Sequence, residues 1–280
     1  MKTNFSIPGL FNNFALNQSF ITLFDSDQNV FNDNFVIDSV YGSFPNSKWG
    51  LERYSSSINF KTIEKIINYY NRNGISIHYE MNNPLIREQH LNDEFCNECL
   101  KLAHNSDNAV IVASEVLRNY IREKYPNYNI ITLTPKIDAD FISIMPEDED
   151  LNVIEDKSDY EILLNNFCCD NCQIQDKHIN YLANEQLRNS KIYPYFPCVL
   201  RFDCGFEIIK TYKHFVSIEM LNEKYIPMGF NNYKIATNTL IKYLPLNCTI
   251  NDLIKFYVYY LIKPEYQKDV LDEFLIKNID

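Results

Sequence analysis

Apolar and polar positions change period repeatedly along this chain, and the changes alternate between two kinds of element. Phe35 to Tyr41 (Phe-Val-Ile-Asp-Ser-Val-Tyr) reads as a strand that ends in the turn Gly42-Ser43. Residues 60–72 then repeat apolar positions at 60, 63, 66, 67 and 70, which is helical spacing, and Asn73-Gly74 predicts the stop. Ile75 to Tyr79 reads as a strand and residues 92–104 as a helix. Ala109 to Ala113 reads as a strand, and Glu115 to Lys124 as a helix that stops before Pro126.

Further strands are predicted at Asn129–Thr134, Phe141–Met145, Tyr160–Leu164, His214–Ile218 and Tyr233–Ala236. A helix is predicted at 177–188, and a long helix or helix pair at 250–277 breaks near Pro264. These make eight strand candidates, mostly separated by helices. Strand–helix alternation predicts a parallel sheet covered by helices, and eight units predict closure into an α/β barrel of the (β/α)8 TIM type. The nucleotide-binding fingerprints of the open doubly wound sheet, GxGxxG and GxxxxGK[ST], are absent from the sequence. Residues 1–34 are Asn- and Phe-rich without clear periodicity, so an irregular lead-in is expected there. One barrel domain with a C-terminal helical segment is expected over 35–280, and 190–213 reads as a long loop beside the site.

Composition narrows the classes. The chain has 280 residues, of which 46% are apolar, enough for one sizeable core. A formal charge of -11 argues against an extended nucleic-acid surface, and Gly at 6 argues against Gly-rich phosphate loops. The longest apolar runs, such as Phe256 to Ile262, are too short to span a bilayer, and Met1 to Ser6 carries no signal-like apolar region. A cytoplasmic protein is expected. Its 8 cysteines are then thiols or metal ligands before they are disulfides.

Soft ligands concentrate just past the strand at 160–164. Cys168 and Cys172 are followed by His178, and Cys198 and Cys204 lie in the irregular stretch beyond. Thiolate and imidazole donors suit Zn or an iron–sulfur cluster. Cys169 also forms a CxxC with Cys172, so the ligand set is open, and buried free thiols are the ordinary alternative. The second CxxC, Cys96-Asn97-Glu98-Cys99, falls on an apolar helix face with no strand directly before it, which predicts core thiols.

Polar residues gather at predicted strand ends: Tyr41, Ser43, Asn82, Asn83, Glu115, Lys136, Glu147, Asn165 and Glu219. At the mouth of a barrel such a set suits a polar small molecule. Tyr41, Ser43, Asn82, Asn83, Glu147 and Glu219 are the candidate substrate contacts. The acidic run Glu147 to Asp150 reads as a solvated loop before a hard-ion site, and Arg53, Arg201 and Lys234 are candidate anion contacts. His78 alternates within its strand and is expected to point inward as a core histidine.

The order of elements, the segment Cys168-x3-Cys172-x5-His178, and the closing runs Tyr225-Ile226-Pro227-Met228-Gly229-Phe230 and Tyr233-Lys234-Ile235-Ala236 resemble a group of bacterial barrel proteins. Those proteins are distantly similar to the collagenase-like peptidase family, which includes proteins of tRNA hydroxylation and of oxygen-independent ubiquinone hydroxylation. The resemblance covers roughly 35–265. It implies a TIM-type barrel and, as in several members, an iron–sulfur cluster on four cysteines. In such proteins a run like Tyr233-Lys234-Ile235 continues into Gly-Arg, whereas Ala236-Thr237-Asn238 follows here, so an anion-binding arginine is missing at that point. Peptidase activity is not carried over, because no catalytic constellation for it is visible.

Together these readings predict a metal- or iron–sulfur-containing barrel enzyme acting on a polar small molecule or a modified group, by redox or hydroxylation chemistry. Two alternatives stand beside it: a non-catalytic barrel that binds a ligand or partner, and a carboxylate–metal sugar isomerase or lyase.

Overall fold

In the computed structural model, eight parallel strands pair in sequence order and close into one barrel. The structure describes residues 2–51, 58–133, 138–145, 151–165, 174–188, 205–236 and 250–277. The strands are β1 (Thr3–Pro8), β2 (Phe35–Gly42), β3 (Ser76–Met81), β4 (Ala109–Val112), β5 (Asn129–Thr132), β6 (Phe141–Ile144), β7 (Tyr160–Leu163) and β8 (Asn232–Lys234). β8 pairs with both β7 and β1, so no strand edge is left open. This is the (β/α)8 TIM-type barrel that the alternation predicts.

The outer layer holds α1 (Phe14–Ser26), α2 (Phe60–Arg72), α3 (Glu94–Leu102), α4 (Glu115–Lys124) and α5 (Gln175–Arg188). The short helices α6 (Phe206–Ile209) and α7 (Ile218–Met220) follow, and then α8 (Ile250–Leu261) and α9 (Gln267–Lys277). Local chemistry fixes the ends. Asn59, Asp93 and Ser114 each accept a backbone N–H from the first turn of α2, α3 and α4. α2 stops where Gly74 adopts φ +69°, a left-handed conformation that glycine takes without strain. Ile63, Ile66, Ile67 and Tyr70 form its buried stripe, while Phe60 stays exposed and meets Phe95 of α3.

Two expectations are corrected. Thr3–Pro8 is the first barrel strand rather than part of an irregular lead-in. Phe5 and Ile7 point out into the helical layer while Ser6 between them points inward, so the strand alternates over a stretch too short and too Asn-rich to stand out. His214–Ile218 is not a strand. Val216 is anchored by its N–H to the Leu164 carbonyl, and the chain turns at once into α7, so the burial of Phe215 and Val216 comes from packing on α8.

The alternation sorts the strands into two faces. Ile77, Tyr79 and Met81 of β3, Val110 and Val112 of β4, Ile162 of β7 and Tyr233 of β8 join the large core between sheet and helices. Tyr41, Ala109, Ile111 and Ile131, with Phe141 against them, form a separate small cluster inside the barrel. Other inward positions carry polar side chains: Ser6, His78, Glu80, Ser143, Glu161 and Lys234.

Candidate functional site

The polar half of the barrel interior is built from residues that no loop supplies. Lys234 is the last residue of β8, and its partner in the register of β1 is Ser6. Its Nζ lies 3.9 Å from Oε1 of Glu161 on β7, and the two side chains are 6% and 8% exposed. The same ammonium sits 3.8 Å from the centroid of the Tyr41 ring, a cation–π contact. The Tyr41 hydroxyl donates to the Ile235 carbonyl at 2.8 Å, tying β2 to the chain just past β8. Ser143 of β6 donates to Glu161 Oε1 at 3.1 Å.

β3 closes the ring. Burial pushes the Glu80 carboxyl up, Lys234 pulls it back down, and Glu161 pushes it up again. Burial likewise raises the Glu161 carboxyl, against the opposing pull of Lys234 and of the Ser143 hydrogen bond. His78 is held neutral, lowered to about 3 by burial and by the nearby Lys234 charge. Its Nδ1 is buried with no hydrogen-bond partner, and so is the Ser6 hydroxyl. Asp38, the extra residue where the β1–β2 register shifts, adds a further carboxyl. It keeps more solvent contact than the others, yet the protein around it still raises it, and Lys2 opposes.

Two carboxyls of unequal surroundings, one lysine and two polar atoms without hydrogen-bond partners form a set whose chemistry can take up and release a proton. It is a poor divalent-metal site. Among the described residues no three His, Cys, Asp or Glu converge to hold a metal ion, and the Lys234 ammonium already stands 3.9 Å from Glu161.

The sequence-predicted contacts distribute unevenly. Tyr41 belongs to the interior site. Ser43 donates to the Glu80 carbonyl at 2.9 Å and so fixes the strand rather than facing the barrel. Gly50 shares that spot: a Cβ there would come within 2.4 Å of Ser43 Oγ and 2.9 Å of the Glu80 carbonyl. Asn82 accepts from the Leu51 N–H at 3.1 Å. Asn83 is buried and fully committed, donating to the Lys48 and Ala183 carbonyls and accepting from the Leu85 N–H. Both asparagines therefore organise loops at the mouth. Asn165 joins the ends of β7 and β8 by a reciprocal pair with the Ala236 backbone, at 3.0 and 2.7 Å.

Glu219 is not at a strand end, because its predicted strand does not exist. It lies exposed on α7, its carboxyl held low by the Ser217 hydroxyl and its own backbone N–H. His178 is half-buried in the first turn of α5. Glu147, Lys136, Arg53, Arg201, Cys168, Cys172, Cys198 and Cys204 lie outside the described residues. Cys96 and Cys99 are buried free thiols on α3, as their helix face predicts.

Glu80 and Glu161 escape sequence reasoning. The readable signal was a lone charged residue flanked by outward apolar neighbours in the middle of a barrel strand, as in Ile77-His78-Tyr79-Glu80-Met81.

No known family model matches the chain, and no curated protein matches it. Among solved structures it is similar to the U32 peptidase Mk0906, with a TM-score of 0.51 at 12% identity, covering 85% of this chain and 94% of that one. The likeness is one of fold. No helix among the described residues is long and apolar enough to cross a membrane.

Proposed function

We propose that this chain is a barrel enzyme that acts on a polar small molecule, or on a modified group of a larger one, at the C-terminal mouth of the barrel. The observation that carries this reading is the Glu80–Lys234–Glu161 cluster. Buried charge inside a barrel costs stability that apolar residues would not, and sites of chemistry are where that cost is ordinarily found. Glu80, one residue from the end of β3, is the proton carrier: its carboxyl is shifted up and reached from the mouth. Lys234 pulls the Glu161 carboxyl down against its burial and fixes the field that Glu80 works in. Tyr41 positions Lys234 through its ring.

The cysteine centre belongs to the same proposal. Cys168 lies three residues past Asn165, which is pinned at the mouth, and this spacing supports a centre beside the interior cluster. Cys168, Cys172, Cys198 and Cys204, with His178, are the proposed ligands. A cluster there would supply electron transfer, and Zn would supply Lewis acidity. Redox or hydroxylation chemistry follows from the first case.

Two measurements test the proposal. Wild type and Glu80→Gln are incubated with pools of polar metabolites, and consumption is followed by mass spectrometry. A compound consumed by wild type alone supports the enzyme, and equal consumption removes Glu80 from the chemistry. Anaerobic purification with iron, sulfide and zinc analysis tests the centre. Metal that persists in the Cys168→Ser/Cys172→Ser protein overturns it.

A further inference from the structure

Among the described residues the barrel interior is short of positive charge. Glu80 and Glu161 face inward from β3 and β7, with Asp38 behind them on β2. The cation facing them from the strands is Lys234 of β8, and it is committed to Glu161 at 3.9 Å and to the Tyr41 ring at 3.8 Å. Lys2, just before β1, acts on Asp38 at the other end. His78 is the remaining titratable group on the ring, and it stays neutral.

Two buried polar atoms in this ring are unsatisfied. Ser6 is 3% exposed and its Oγ has no hydrogen-bond partner; the same holds for His78 Nδ1. Both border Lys234: Ser6 is its register partner, and His78 is the register partner of Tyr41, on whose ring the ammonium rests. An unsatisfied buried polar atom is costly unless something else completes it. The open groups are therefore one carboxylate, one hydroxyl oxygen and one neutral imidazole nitrogen, each able to accept a hydrogen bond.

Resting on the enzyme reading above, we propose that the part of the substrate that enters the barrel is a cationic nitrogen, a primary ammonium seated between Glu80, Ser6 Oγ and His78 Nδ1. An ammonium brings three N–H donors to three acceptors, and its charge balances the carboxylate that Lys234 leaves unpaired. A carboxylate or phosphate would instead meet Glu80 and Glu161 at close range. A neutral hydroxyl satisfies the hydrogen bonds and leaves the charge uncorrected.

The test uses the full chain and three probes of one shape: n-butylammonium, butanoate and n-butanol, at equal concentration and ionic strength. Thermal unfolding is followed for wild type, Glu80→Gln and Ser6→Ala. A ligand that binds the native state raises the midpoint. The expected result is a rise with n-butylammonium alone, with apparent affinity about tenfold or more weaker in Glu80→Gln. Ser6→Ala removes only an unpaired hydroxyl, so it folds and shows a weaker response to the amine. Equal response to all three probes, a response to butanoate alone, or an amine response unchanged in Glu80→Gln overturns the proposal. These readouts need no turnover, so they fail or succeed separately from the assignment of Glu80 as proton carrier.

Discussion

The Lys234 ammonium and the Glu161 carboxylate stand 3.9 Å apart inside the barrel, each almost wholly removed from solvent. Such a pair stabilises little as a unit, but breaking it strands a buried charge. Lys234→Met is expected to cost about 3–5 kcal/mol by urea unfolding at neutral pH. The double variant Lys234→Met/Glu161→Gln is expected to recover much of that loss, since no charge is then left unpaired. A double-variant cost equal to the sum of the Lys234→Met and Glu161→Gln costs would show that the two side chains act independently.

The two glutamates set a pH dependence whose sign follows from their direction. Glu80 and Glu161 are raised in the folded protein above the ordinary value of 4.5. The folded chain therefore binds these protons more tightly than the unfolded chain does. Their contribution is fully present below pH 4.5 and is lost as pH rises through the folded values. Glu161→Gln, which cannot ionise, is expected to flatten this part of the stability profile. Denaturant titrations at a series of pH values above 4.5 measure the slope, and an unchanged slope rejects the burial of Glu161 as its source.

His78 acts in the opposite sense. It falls from 6.5 to about 3 on folding, so the unfolded chain takes up its proton first. Stability from the neutral ring is complete above pH 6.5 and is lost as pH falls toward 3. His78→Asn is expected to lessen acid destabilisation in that window. NMR titration of the imidazole checks the cause directly, because a ring that protonates near pH 6.5 would place it in water.

How far the sequence reveals this molecule depends on which face of a strand carries the signal. Outward faces are apolar, and Ala109–Val112 or the stripe Ile63, Ile66, Ile67, Tyr70 could be read directly. The ends of α2 and α4 were legible for the same reason, through Gly74 and the stop before Pro126. Thr3–Pro8 was not, because Asn4 and Ser6 break its apolar run, while Phe215 and Val216 mimic a strand by being buried. The candidate site was sought in loops, where Asn82 and Asn83 instead hold the backbone. Glu80 and Glu161 lie inside strands, and only closure of the barrel brings them to one lysine.

Asn165 is expected to control the mouth beside Lys234. Its side chain both donates to and accepts from Ala236, and it is fully buried. Asn165→Ala strands a backbone N–H and a carbonyl together, with a loss of about 3 kcal/mol in urea unfolding. Asn165→Asp keeps the acceptor but sets a buried carboxylate oxygen against the Ala236 carbonyl, so at neutral pH a loss at least as large is expected. Hydrogen exchange at the Ala236 amide separates a local from a global effect. Faster exchange there, with β3 amides unchanged, means that the β7–β8 seam opens alone.

The cysteines divide by reactivity. Burial pushes the Cys96 thiol up to about 12, with the Ser47 hydroxyl as its polar contact. Burial raises Cys99 as well, and the neighbouring Cys96 and Asp93 add to it. At pH 8 the thiolate fraction of Cys96 is then about one part in ten thousand, and thiolate is the reactive form. Iodoacetamide applied to the native protein is expected to leave Cys96 and Cys99 unmodified by peptide mass spectrometry, and to label both after denaturation. If a metal or cluster occupies Cys168, Cys172, Cys198 and Cys204, those four gain label after chelation at neutral pH while Cys96 and Cys99 stay protected. Labelling of Cys96 or Cys99 at the same rate as the other four would mean that α3 does not pack its thiol face against the barrel.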